Sequence, residues 1–192
     1  MKKIFVVAAA ALLTLSASAQ NLKFAHVNFN ELVMLMPEAD AARTQMAAAQ
    51  KEAEETLQSF YEEGQTKLTQ YQQKSATWTA AVKETKEKEL NDINARIQEF
   101  QNNIQIELQQ QQQQLMAPIQ QKAIQTVEKL AKAGGYVYVF EKGSLLFVDE
   151  KQSTDLTPAA RKELGIPEGR TLESLQAELQ AQANAEAAPA TK

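Results

Sequence analysis

Residues 46–71 read MAAAQKEAEETLQSFYEEGQTKLTQY. Apolar, aromatic or small residues recur at Met46, Ala49, Ala53, Leu57, Phe60, Gly64, Leu68 and Tyr71, in steps of 3, 4, 4, 3, 4, 4 and 3. This spacing lays a stripe along an α-helix and does not fit strand alternation. A second stripe runs through Leu90, Ile93, Ile97, Phe100, Ile104 and Leu108, then Leu115, Ile119, Ala123, Val127 and Leu130. Residues 38–133 contain one glycine (Gly64) and one proline (Pro118) among 96 positions dominated by Ala, Glu, Gln, Lys and Leu, all good helix formers. Between the stripes lies Ser75-Ala76-Thr77-Trp78-Thr79-Ala80. Its hydroxyls compete with the helix for backbone hydrogen bonds. Two readings are open: a helical hairpin with its tip near residues 75–82, or one unbroken helix of about 144 Å. The hairpin is preferred, because a bent-back pair buries its own stripe while a single helix needs a full-length partner. The arm would be about 57 Å long.

The flanks change character. Residues 21–29, with Lys23-Phe24-Ala25-His26-Val27-Asn28, read as a short strand. Asn30 is placed as the cap of a short helix from Glu31 to Met36, and Pro37 can open the next helix. Beyond the second stripe, Gly134-Gly135 stops the helix. Tyr136-Val137-Tyr138-Val139-Phe140 and Leu145-Leu146-Phe147-Val148-Asp149 read as two strands joined by Glu141-Lys142-Gly143-Ser144 in a tight hairpin. Both runs are almost continuously apolar, so both faces are expected to be covered. Three short strands cannot close a stable sheet alone, and the base therefore calls for other subunits. Thr157 is placed as the N-cap of a further helix opened by Pro158 and closed by Gly165. An amphipathic run follows with Leu172, Leu175 and Leu179, and the Ala-rich end from Ala181 to Lys192 is expected to fray. The expected layout is a body of residues 20–37 and 134–166, an arm of 38–133, and a C-terminal helix and tail of 167–192. The fold class is mainly α: a long antiparallel hairpin projecting from a small strand body.

The N-terminus has the three parts of a secretory signal peptide. Lys2 and Lys3 are basic, Ile4 to Leu15 is apolar, and Ala17-Ser18-Ala19 supplies small residues for cleavage. The apolar run is shorter than the roughly 20 residues a membrane span needs. Cleavage after Ala19 would leave 173 of the 192 residues, with 18 basic and 24 acidic side chains and a net charge of −6 once Lys2 and Lys3 are gone. An acidic chain argues against nucleic acid as a partner. No cysteine is present, so neither disulfides nor thiolate metal sites contribute.

Chemistry is sparse. His26 is the only histidine, and no nucleophile motif accompanies it. No glycine loop for phosphate is visible, and zinc lacks its His and Cys pairs. Asp149, Glu150 and Asp155 follow no calcium-loop pattern and read as solvated loop carboxylates. No catalytic residue, cofactor or metal is expected.

Two arm features stand out. Residues 98–125 carry 12 glutamines, six of them consecutive at Gln109–Gln114. They make either a plain solvated helix or an uncharged wall of hydrogen-bond donors and acceptors. Pro118 removes one helix hydrogen bond and is a candidate hinge. The window from Gly64 to Lys83 holds Lys67, Lys74 and Lys83 and no acidic residue, beside Tyr71 and Trp78. These lysines are either ordinary solvation or a tip that touches anionic clients, lipid headgroups or an acidic partner.

Three segments, KFAHVNFNELVMLMPEA, LMAPIQQKAIQTVEKLAKAGGYVYVFEKGSLLFVDE and STDLTPAARKELGI, in this order around the long helices, resemble the Skp/OmpH family of periplasmic chaperones over about residues 22–166. The resemblance implies a homotrimer in which strands from three subunits form a small body and three arms enclose a cavity. That cavity would hold unfolded outer-membrane proteins without nucleotide hydrolysis. On this reading the oligomer base is formed by Phe24, Val27, Tyr136, Tyr138, Val139, Phe140, Leu145 and Phe147. The arm tip is formed by Lys67, Tyr71, Lys74, Trp78 and Lys83, with weak membrane-surface contact as a second use. Well-known members are strongly basic whereas this chain is acidic, and residues 167–192 have no clear family counterpart. A structural coiled coil or envelope adaptor remains the alternative.

Overall fold

The computed structural model describes residues 22–187; the signal-peptide segment 1–19 lies outside them. Strand β1 (Lys23–Val27) leads into helix α1 (Phe29–Leu35). Helix α2 (Pro37–Lys74, 38 residues) and helix α3 (Ala80–Gly134, 55 residues) form the two limbs of a hairpin, joined by a 3-10 turn, Ser75–Thr77. Thr79 starts α3 by accepting a hydrogen bond from the Val82 amide. The chain then forms β2 (Tyr136–Glu141), a 3-10 turn at Lys142–Ser144, β3 (Ser153–Asp155), α4 (Thr157–Glu163) and α5 (Leu172–Ala187).

The limbs run antiparallel, and cross-limb pairs trace the register. Lys122 meets Glu38 near the body, Arg96 meets Glu63 midway, Lys67 meets Glu89 further out, and Tyr71 donates to Glu87 near the tip. The apolar stripes meet between them. Phe60 and Phe100 stack edge to face at 5.5 Å, with the Arg96 guanidinium 5.0 Å from the Phe60 ring centre. Ile93 and Ile97 are buried. Between these and the root of the arm the packing opens: no residue of 43–63 or 98–118 is fully buried. Grooves of about 600 Å³ lie on either side of the Ala53, Phe100, Ile104 and Leu108 ridge. The glutamine run lines both, Gln109 and Gln112 on one side, Gln110, Gln111 and Gln114 on the other.

Seventeen more residues in α3 than in α2 (55 against 38) decide the sheet. They carry the chain back past the start of the arm before Gly135, in the left-handed region at φ 68°, ends the helix. The chain therefore re-enters the body at the end where β1 begins, and β2 pairs parallel to β1. β3 also pairs parallel to β1, on its other side, giving the order β2-β1-β3.

The expected strand at Leu145–Asp149 is absent, and with it the tight hairpin. Parallel neighbours need a crossover rather than a two-residue turn. The chain after β2 must pass from one side of β1 to the other, and residues 145–149 are spent on that path. The capping assignments also shift. Asn28, not Asn30, caps α1, its Oδ1 accepting from the Glu31 backbone amide at 3.1 Å while its side-chain Nδ2 donates to Glu31 Oε2. Thr157 is the first residue of α4 rather than its cap, and its hydroxyl accepts from the Asn28 amide at 2.9 Å. The C-terminal helix spans Leu172–Ala187, and the last part of the expected tail, 188–192, lies outside the described residues.

The core sits where the arm enters the body. Leu32, Leu35, Met36 and Ala39 pack with Ile119 and Ala123 of α3, with Leu156, Ala160, Leu164 and Ile166 around α4, and with Leu175 of α5. Ala25 and Val27 face this core, and Val139 packs against it from β2.

Gly64 has no conformational reason to be glycine. It is helical, and a Cβ there would sit 3.8 Å from Ile93, ordinary van der Waals contact. Gly64→Ala should therefore raise unfolding stability by about 1 kcal/mol through helix propensity. A urea titration checks this, and a loss of stability would show that the limbs cross more tightly at this point.

Candidate functional site

Side chains alternate along a strand, so Phe24, Tyr138 and Phe140 face away from the core. They form a cluster: Phe24 stacks on Tyr138 at 6.4 Å and lies 6.5 Å from Phe140. Among the described residues this cluster is left largely open. Tyr138 is 58% exposed, Phe140 42% and the edge residue Val137 49%. The outer side of β2 pairs with no strand among the described residues. On the crossover after β2, Leu146 is fully exposed and Phe147 82% exposed. Within one chain this face stays open, and the cover expected from other subunits lies outside the single chain. A cleft of about 370 Å³ between β2 and α3 adds Val27, Val127, Tyr136 and Val139 to the same region. Of the base residues named from sequence, Val27 is in the core, Tyr136 and Val139 flank it, Leu145 is half-buried, and Phe24, Tyr138, Phe140 and Phe147 make the open surface.

Glu141 was not anticipated. At the end of β2, its Oε2 accepts from the Phe29 amide at 2.7 Å while Oε1 accepts from the Gly143 amide. One carboxylate thus ties the start of α1 to the edge strand. The signal was a lone acidic residue closing an apolar run, which sequence cannot tell from a loop charge.

The structure brings Ser153 and Asp155 to His26, a grouping that sequence spacing did not reveal. His26 is 1% exposed on β1, the central strand; Nδ1 lies 2.9 Å from Ser153 Oγ and Nε2 3.8 Å from Asp155 Oδ2. The buried ring fastens β1 to β3. Asp155 is engaged on several sides. Burial pushes its carboxyl up, but hydrogen bonds from Thr157, including its amide at 2.8 Å, and the charges of His26 and Lys142 outweigh this and hold it below its ordinary value. Asp149 accepts from the Lys151 amide within a turn. Among the described residues no cluster of three or more His, Cys, Asp or Glu is disposed around a metal-sized space.

At the arm tip, Tyr71 and Trp78 pack edge to face at 5.8 Å. Lys67 is not an unopposed cation, contrary to the acid-free window. Glu89 at 3.1 Å, across the hairpin, and Glu63 at 3.5 Å, one turn back, both neutralise it. The hydrogen bond to Glu89 leads in raising its pKa. Lys74 and Lys83 have no ion-pair partner among the described residues, so the tip cation count falls to these two. Pro118 is exposed inside α3, which runs unbroken across it. No described helix is long and apolar enough to cross a membrane.

Fold and surface together define a helical-arm protein with a small strand body whose aromatic face is open among the described residues. The chain belongs to the outer membrane protein (OmpH-like) family, whose model matches residues 23–164. Among solved structures it is similar to a candidate outer membrane chaperone (OmpH-like) from Caulobacter crescentus CB15. The TM-score is 0.67 at 12% identity, covering 74% of this chain and 83% of the other. No curated protein matches.

The lowered carboxyl of Asp155 has a pH signature. A depressed folded-state value adds stability that is complete above the unfolded value, about 3.9, and is lost as pH falls through the folded one. Asp155→Asn should therefore be less stable than wild type at pH 7. The gap should close below about pH 4, as read from urea midpoints across a pH series. A gap constant down to pH 2 would assign the loss to something other than the charge.

Proposed function

We propose that this protein is a periplasmic, ATP-independent holdase that assembles through its strand body and shelters unfolded outer-membrane proteins between projecting arms. The observation that carries this reading is the open β2 edge with its aromatic face at the root of a long arm. An unpaired apolar edge invites another strand or surface. Assembly about that edge as a trimer would point several arms the same way and enclose a space. Family membership supports the chaperone class, and the three-part N-terminal signal supports export.

The arm surface suits non-selective holding. Its middle third presents glutamine amides and partly exposed Phe100, Ile104 and Leu108 along open grooves. Many weak apolar and hydrogen-bond contacts retain a client without one deep site. Pro118 gives the root of the arm a place to bend, since its ring leaves a carbonyl unpaired. Light scattering of a urea-unfolded outer-membrane protein, diluted with and without this protein, tests the reading. Suppressed aggregation with neither nucleotide nor divalent metal is expected. Binding to one folded partner with no effect on aggregation would favour an envelope spacer.

Phe147→Asp should leave the subunit folded, because the side chain is exposed within it, and should dissociate the assembly by burying a charge. Sedimentation reads the change, and a wild-type monomer would refute assembly at this edge.

Client capture should weaken only modestly between low and physiological salt, because exposed charges act within about 8 Å at 0.15 M. Lys74→Gln with Lys83→Gln should slow association, and Lys67→Gln should add little because Glu63 and Glu89 already neutralise it. A loss of affinity over several orders of magnitude with salt would make charge the main force.

A further inference from the structure

The C-terminal helix α5 lies beyond the family match, which ends at residue 164. It is nucleated on its own terms: Thr171 and Ser174 cap each other reciprocally, with Ser174 N to Thr171 Oγ1 at 3.1 Å and Thr171 N to Ser174 Oγ at 3.0 Å. Its first turn is docked. Leu175 is 2% exposed within the core, and Arg170, just before the helix, donates to Asp40 of α2 at 2.7 Å. Arg161 holds the linker by donating to the Pro167 and Arg170 carbonyls while pairing with Glu31.

Past that turn the helix stands off. Residues 176–185 are all exposed, and a cleft of about 640 Å³ separates them from the arm root. Met46, Leu115 and Met116 line one wall, and Leu179 faces them from α5, 39% exposed. Leu172, Leu175 and Leu179 follow helical spacing, so the docked stripe continues onto the undocked part. Arg170 already pairs loosely with Glu178, Nη2 to Oε2 at 3.7 Å, while its Nε is buried without a partner. Swinging α5 toward the arm would bury Leu179 and tighten the Glu178–Arg170 pair.

We infer that α5 is a hinged flap, anchored at Leu175 and Arg170, whose outer half closes over the arm-root cleft and competes with client chains for it. The competition rests on the holdase reading; the closing motion does not. A flap closed most of the time reduces client affinity by the fraction of molecules left open.

The chain has no cysteine, so a paired substitution reports closure directly. Gln50 and Gln182 line opposite walls of the cleft. In Gln50→Cys/Gln182→Cys, mild oxidation should form an intramolecular disulfide rapidly, an added unfolded outer-membrane protein should slow it, and Glu178→Gln should slow it too. The locked protein should capture that client about tenfold more weakly, with full recovery on reduction. Failure of the disulfide to form, or equal capture by locked and reduced protein, would overturn the flap. Wild-type protein that suppresses no aggregation would sink the holdase reading and the competition together, while rapid cross-linking would still establish the closing helix.

Discussion

The parallel pairing of β1 with β2 is the contact on which the rest of the molecule depends. It joins Lys23 to Tyr136 across the whole arm. A flexible connection of that length would cost loop-closure entropy with nothing in between to offset it. Here the connection is two rigid limbs that return the chain to its origin, so the sheet closes when the limbs zip. The same pairing makes β1 the central strand, brings His26 between its neighbours, and leaves the outer side of β2 as one of the sheet's two free edges among the described residues.

The arm is held unevenly. Its root is fixed by the shared core, where Ile119 and Ala123 are buried among Leu32, Leu35 and Met36. Its outer part is fixed by Ile93, Ile97 and the Phe60–Phe100 contact. The ion pairs from Glu38–Lys122 outward set register more than stability, because exposed pairs contribute at most about 1 kcal/mol each. Between the two anchored ends, small and amide side chains keep the limbs together without sealing the seam. On the proposed holdase reading this arrangement matters, since an arm packed tight throughout would have no apolar surface left to offer. α5 adds a third helix at the root, braced through Asp40, which Arg43 and Arg170 share.

The stripes from Met46 to Tyr71 and from Leu90 to Leu130 made the hairpin readable, because helical periodicity is a local property of side-chain spacing. Gly134-Gly135 and the Ser/Thr-rich tip were readable for the same local reason. The third strand was misplaced. Leu145–Asp149 has the composition of a strand, but whether an apolar run pairs depends on where its neighbours lie, and the crossover to β3 takes that run away from the sheet. The partners of Lys67 were hidden because Glu89 sits 22 positions away, and only the turn at Ser75–Thr77 brings it back. The meeting of His26 with Ser153 and Asp155 was hidden by a still longer separation.

By itself, then, the sequence determined the elements: two long helices with one apolar stripe each, breakers at their ends, and a strand on each flank. Their existence depends on residues within a turn or two of one another, where spacing and propensity act. The tertiary structure alone decided that the sheet is parallel, that one apolar run stays out of it, that its aromatic face is left uncovered, and that α5 stands partly off the arm. These depend on the difference in length between α2 and α3 and on contacts between residues more than a hundred positions apart, and no local pattern encodes such distances.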